Sequence, residues 1–304
     1  MTAIARSTTR KRERAAWGFV APALIAIGVF FAIPVFAALL LSLTDFDIYA
    51  LADIGNMRFV GLQNYERLFT NPLFWGAMKN TGLFAVLGVP LSIATSLGAA
   101  VILNARVVKW RPLWRVMFFA PYVTTLVATA VLWNYLLHTR YGVINWAISS
   151  VGLQPVDWLG DPSTSIPAIL MFVVWKIFGY NMLIFYAALR AIPSDIYEAA
   201  AIDGATEWHK AWFIKLPALG PALMLAVIFS IIGSLQLFNE PSILQQLRPS
   251  VVSTSWTPNL YAYNLSFTGA QTNYAAAVAM LLGGFTVVIA YIVQIGVAKR
   301  GRLL

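Results

Sequence analysis

The chain has 304 residues, 60% of them hydrophobic and only 11% charged, with no cysteine and a net charge of +9. A soluble protein of this length carries roughly 25% charged residues, so a single water-soluble core is excluded and lipid becomes the solvent for much of the surface. Without cysteine there are no disulfides, cysteine nucleophiles or thiolate metal sites, and two histidines, His138 and His209, cannot build a histidine-rich metal cluster.

A bilayer core of about 30 Å needs roughly 20 apolar residues in helical form. Six stretches qualify in chain order: 17–43, 82–103, 116–137, 166–189, 216–238 and 275–298. The first follows Arg10, Lys11, Arg12 and Arg14, as a signal peptide would. Its apolar run is too long for a secretory h-region and no small-residue cleavage site follows, so a retained helix is expected. Cytoplasmic loops collect Lys and Arg. One side of the six spans holds Arg6, Arg10, Lys11, Arg12 and Arg14, then Arg106, Lys109, Arg111 and Arg115, then Arg190, Lys210 and Lys215, and finally Lys299, Arg300 and Arg302. The other side holds only Arg58, Arg67, Lys79, Arg140 and Arg248, with Lys176 inside the fourth span. The predicted fold is all-α and polytopic, with six transmembrane helices and both termini cytoplasmic. Its parts are a basic tail at 1–16, the membrane domain at 17–298 and a second tail at 299–304. The positive charge is a topology signal, and no nucleic-acid partner is expected. Ala275, Ala279 and Gly283, and likewise Ser92 and Ser96, recur every four residues, a spacing that lets helix backbones approach closely in lipid.

The loop at about 190–217 is the most informative segment. Pro193 stops the preceding helix, Asp195 and Glu198 have the spacing of a capping box, and Asp203-Gly204 offers a turn with positive φ. Thr206 can cap a second short helix that places Trp208, Trp212 and Phe213 on one face. Pro217 falls near the start of the next span, where its missing N–H is tolerated. The result is a helix–turn–helix elbow with an apolar face. It either lies on the bilayer or its own chain, or docks on a partner.

Glu198-Ala-Ala-Ala-Ile-Asp-Gly204-Ala, followed by Phe213-Ile-Lys-Leu-Pro217, resembles the EAA signature of ABC-importer permeases. Phe59-Val-Gly-Leu-Gln-Asn-Tyr-Glu-Arg-Leu-Phe69, then Phe74-Trp75 and Asn80-Thr81, is similar to the extracytoplasmic segment of carbohydrate-uptake permeases (binding-protein-dependent transport system inner membrane components). Trp175-Lys176, Tyr180, Ala188-Leu189 and Ile192-Pro193 fit the fourth span of that family. The chain most resembles the first of two unlike permeases, the maltose and glycerol-3-phosphate type. The resemblance implies a cytoplasmic coupling helix, with Glu198, Ala199, Ala200, Asp203, Gly204 and Pro217 as its ATPase-coupling residues. Implied partners are a second permease subunit, an ATPase dimer that uses the ATP and Mg, an extracytoplasmic solute-binding protein and a carbohydrate cargo. The implied location is the bacterial inner membrane. Where many relatives carry a Thr-Gly-Gly-Pro-like stretch, this chain has Glu240-Pro-Ser-Ile-Leu-Gln-Gln-Leu-Arg-Pro249, which leaves open a glycerol-3-phosphate-like or other polar solute as cargo.

No Gly-x-x-x-x-Gly-Lys-Ser/Thr phosphate cradle, Gly-x-Gly-x-x-Gly fingerprint or Gly-x-Ser-x-Gly elbow occurs. The chain is therefore expected to have no enzymatic activity, cofactor or metal of its own. A secondary transporter, the more distant alternative, would be expected to carry membrane-level acids or internal repeats. Candidate pathway residues are Asn134 and Tyr135 in the third span, Lys176, Tyr180 and Asn181 in the fourth, and Gln236, Asn239 and Glu240 in the fifth. Polar groups at membrane depth face a bundle interior or a water-filled cavity, and amides with aromatic rings suit a sugar's hydroxyls and C–H faces. The same groups could instead hydrogen-bond neighbouring helices, and Lys176 needs a partner such as Glu240 or a route to the interface.

Overall fold

The computed structural model describes residues 2–47, 57–105 and 107–301. Of the charges used for orientation, Arg106 and Arg302 lie outside the described residues, as do the side chains at 2–14 and 297–301. The described residues fall into two compact units, residues 1–70 with 265–281 and residues 71–264 with 282–304.

In the first unit, α1 (Thr2–Ile27) and α2 (Ile33–Ser42) form one long rod, apolar over Ala15–Ser42 and joined by a widened turn at Gly28–Ala32. Pro34 explains that turn: its ring conflicts with the carbonyl four residues back, so the Ile33 N–H reaches five residues, to Gly28 O. The stretch Ala15–Ser42 buries none of its most apolar window. At its end, α3 (Gln63–Thr70) folds back. Asn64 Nδ2 donates to Ser42 O (2.9 Å) and Thr44 O (2.8 Å), and Asn273 Nδ2 donates to Thr44 O (3.1 Å). The Arg67 guanidinium lies 4.4 Å from the centre of the buried Tyr274 ring.

The second unit is built on α4 (Pro72–Asn104) and α8 (Ser165–Arg190), which pack along each other. The helices α5 (Arg111–Val123), α6 (Leu126–Leu136) and α12 (Gly220–Leu235) add to this pair. One apolar cluster joins Phe84, Trp133, Phe172, Leu244 and Trp256; a second, nearer the far end of α4, joins Leu103, Phe185, Leu189 and Leu219. A short helix α7 (Val143–Ser150) tops α6, tied down by Asn145, which bonds both the N–H and the carbonyl of Val156 at 2.9 and 2.8 Å.

Two predicted spans differ from the expectation of single helices. Residues 116–137 form α5 and α6, bent by 101°. Pro121 has no N–H for its turn, and Thr124 Oγ1 takes the Ala120 carbonyl at 2.9 Å while Thr124 and Thr125 adopt extended backbone. Among the described residues five helices are thus long and apolar enough to cross a membrane, and this bent pair is the sixth apolar stretch. Residues 216–238 form α11 (Leu216–Ala218) and α12, and the fifth span then breaks at 236–238 and resumes as α13 (Asn239–Leu247). Pro241, in the first turn of α13, cannot bond the Leu237 carbonyl, so the helix must restart there. Gly233, Gln236 and Glu240 therefore do not share a continuous helix face. After α14 (Pro258–Phe267) comes α15 (Thr272–Gly301). On α15 Ala275 is buried but Ala279 and Gly283 are exposed.

Candidate functional site

The break in the fifth span opens a cavity of about 370 Å³ against α4, α5 and α8. Small-molecule sites run from about 300 to 1,000 Å³. Five of the predicted pathway residues line it: Tyr180, Asn181, Gln236, Asn239 and Glu240. Helical spacing on α8 puts Lys176 one turn from Tyr180. There Lys176 Nζ meets Glu240 Oε1 at 3.2 Å, both side chains mostly buried at 16% and 13% exposure. Asn181, 3% exposed, donates to Ser92 Oγ at 3.4 Å and so joins α8 to α4. Gln236 and Asn239 are exposed to the cavity and carry no hydrogen bond from a side-chain atom among the described residues.

An aromatic wall completes the site. The Tyr122 and Tyr180 rings stack at 4.8 Å with an 18° angle, and both are partly open, at 42% and 38% exposure. Gly179, beside Tyr180, allows this: a Cβ there would overlap the Phe118 carbonyl of α5. Ser92, Tyr122, Ser230 and Ser234 also line the cavity. Of these Ser92 carried a signal in the sequence, but as a packing residue. Asn134 and Tyr135 lie elsewhere. Asn134 Oδ1 accepts from Arg248 Nη2 at 3.3 Å, and Tyr135 is 60% exposed with its ring 6.2 Å from that of Tyr141.

The elbow between the fourth and fifth spans is a separate feature. Its first helix, α9 (Ser194–Ile202), starts after Pro193 without any side-chain cap. The expected Asp195–Glu198 capping box is therefore not formed, because the helix begins two residues earlier and Pro193, whose side chain has no acceptor, occupies the cap. Gly204 turns the chain at φ +74°, and no atom lies within 4 Å of where a Cβ would stand. Thr206 then caps α10 (Glu207–Lys210), its Oγ1 accepting from His209 N at 3.3 Å. Pro217 repeats the effect of Pro34: the turn before it widens and the Leu216 N–H reaches Ala211 O.

Glu207 holds the elbow together through Lys210 (3.1 Å) and Lys215 (3.5 Å). The hydrogen bond from Lys210, with the charges of Lys210 and Lys215, keeps the Glu207 carboxyl below its ordinary value. Burial, with the nearby Glu207 charge, pushes the Tyr197 hydroxyl up. Glu198, Ala199, Asp203, Gly204 and Pro217 are exposed and Ala200 is half-buried. Glu198 has no ion pair or side-chain hydrogen bond among the described residues. Trp208, Trp212 and Phe213 stand out at 69%, 50% and 75% exposure, with the two indoles in edge contact at 5.7 Å.

Residues 19–300 match the family described as binding-protein-dependent transport system inner membrane component. The chain belongs to that family. The lactose transport system permease protein LacF of Rhizobium radiobacter is 36% identical over 270 residues, covering 88% of each chain. The trehalose/maltose transport system permease protein MalF of Thermococcus litoralis is 33% identical over 270 residues, 88% of this chain and 90% of that one. A crystal structure of a bacterial ABC transporter involved in import of the acidic polysaccharide alginate has a chain of the same fold. Its TM-score is 0.82 at 23% identity, over 96% of this chain and 98% of that one. As a family member with these apolar helices, the protein is a multi-pass component of the bacterial inner membrane. It is a transport permease of the ABC type, like those relatives.

Proposed function

We propose that this permease lines, together with a second and unlike permease subunit, the pathway by which an uncharged sugar or oligosaccharide enters the cytoplasm. The observation that carries the reading is the cavity at the broken fifth span. It offers a tyrosine stack for a sugar's C–H face, and Gln236 and Asn239 side chains with free hydrogen-bonding capacity for its hydroxyls. Its one lining carboxylate, Glu240, is already balanced by Lys176, so no spare cation awaits a phosphate. That argues against a glycerol-3-phosphate-like cargo, since a buried anion needs a paired charge. The sugar-transport names of LacF and MalF support the same cargo class.

ATP hydrolysis is assigned to a separate ATPase dimer, since the chain has no phosphate-binding loop of its own. The 190–217 elbow is its docking element: among the described residues Glu198 has no ion pair, and Trp208, Trp212 and Phe213 are exposed. Closure of the ATPase would move the elbow as a rigid lever and switch access to the cavity. Delivery by an extracytoplasmic binding protein follows from the family's mode of transport.

The test is uptake of radiolabelled neutral disaccharides into proteoliposomes holding the whole importer. Gln236→Ala and Asn239→Ala should each lower the uptake rate about tenfold, a cost near 1.4 kcal/mol, with the ATPase still bound in full stoichiometry. Wild-type uptake by both variants across a range of sugar concentrations would overturn the cavity assignment.

A further inference from the structure

A second cavity lies away from the proposed cargo path, where the end of α4 turns into α5. It measures about 700 Å³ and is walled by apolar side chains, among them Leu103, Val107, Trp110, Leu113, Trp114 and Phe118. The apolar span of α4 stops here, at Asn104, so the groove sits where hydrocarbon gives way to headgroups. Two tryptophans at that depth match the interfacial preference of the indole ring. Trp110 is 75% exposed and is held in the left-handed region, at φ +57°. Trp110 is the residue that caps α5, and a bulky side chain held in that region marks a strained turn.

Lys109 puts a positive charge on the lining of the groove. Next to the lining residue Trp110, Arg111 donates from Nη2 to Ala105 O at 2.8 Å. Arg115 follows one turn along α5, resting 5.5 Å from the Tyr186 ring centre. The Nε atoms of Arg111 and Arg115 are buried without a hydrogen-bond partner, and none of these three cations has an ion pair among the described residues. Along the chain, no Asp or Glu occurs between Glu66 and Asp157.

We propose that this groove is a specific site for one anionic phospholipid, with an acyl chain along Leu113, Trp114 and Phe118 and the phosphate headgroup against Lys109 and Arg111. An apolar slot ending in unpaired cations at the membrane boundary fits the two halves of such a molecule, and a zwitterionic lipid would satisfy the slot but not the charge. Basic pockets between membrane helices hold acidic lipids for this reason. Neither a soluble anion, which would leave the slot empty, nor a protein helix, which would leave the cations unmatched, fits as well.

Native mass spectrometry of the whole importer, released from membranes into mild detergent, tests the assignment. The probes are phosphatidylglycerol and phosphatidylethanolamine with identical acyl chains. The intact complex should retain one phosphatidylglycerol in preference. Lys109→Gln, at an exposed side chain, and Arg111→Gln should each reduce that retention about fivefold, the effect of one basic residue at a lipid surface. Trp110→Ala should reduce it without changing headgroup preference. Equal retention of the two lipids would overturn the proposal, as would undiminished phosphatidylglycerol in Lys109→Gln and Trp110→Ala with the complex intact. A Val107→Cys variant is the check for a protein occupant, because Val107 is 87% exposed in this chain. Efficient crosslinking from that position to another subunit would also overturn it.

Discussion

Lys176 and Glu240 come from different spans, 64 positions apart, yet meet at 3.2 Å. Each alone at that depth would be an uncompensated charge in a poor dielectric, and removing one partner of such a pair is far costlier than removing both. Lys176→Met and Glu240→Gln should therefore each lower the thermal midpoint of the detergent-solubilised protein, by about 2 kcal/mol of stability given their partial exposure. The double variant should recover most of the loss. Additive single effects in this cycle would mean that the two side chains act independently. The sequence left two readings open for Lys176, a partner such as Glu240 at the end of the fifth span or a route to the interface, and the structure has the first. The hydroxyls of Ser92 and Ser230 and the ring of Tyr122 were not legible as cavity groups. Serine in an apolar span reads as a small packing residue, and tyrosine as part of an interfacial belt.

At the scale of elements, prolines decide where helices widen, bend or restart. Pro34 and Pro217 each bring only a widened turn, whereas Pro121 and Pro241 accompany a 101° bend and an interruption. Hydropathy sees all four stretches alike, since a broken backbone inside lipid is tolerated wherever protein surrounds it. For that reason the positions of the spans could be read from the sequence while the two breaks could not, and the second break is what opens the cavity. The elbow was more legible because its signals are local: a glycine at positive φ, a threonine cap and a proline at a helix start. Its capping box failed for an equally local reason, the Pro193 in front of it. Gly204→Val isolates the turn, since nothing sits within 4 Å and only backbone strain is added. That strain is about 1–2 kcal/mol. The variant should insert and fold, yet lose the ATPase subunit or its cargo-stimulated hydrolysis. Normal stoichiometry and normal stimulation together would remove the elbow from the coupling step.

At the scale of the whole chain, the bend between α5 and α6 sets the topology. If the pair crosses as one span, six crossings place both termini on the side rich in Lys and Arg. If it turns back, every later loop changes sides. Single cysteines at Gln63, Ser150 and Glu207, all exposed, separate the two arrangements. The charge pattern predicts that a membrane-impermeant thiol reagent reaches Gln63→Cys and Ser150→Cys from outside and Glu207→Cys only from inside. Outside labelling at 207 with inside labelling at 150 would identify a re-entrant pair. The long rod Ala15–Ser42, which buries none of its most apolar window, has a consequence for the order of synthesis. A helix whose backbone is satisfied internally and whose side chains are at home in lipid has no need of later residues to be stable. It can leave the ribosome-bound machinery and settle in the bilayer while most of the chain is still unmade. Newly made protein would thus be anchored before its cargo path exists, and a truncated product ending after this rod should still fractionate with the membrane.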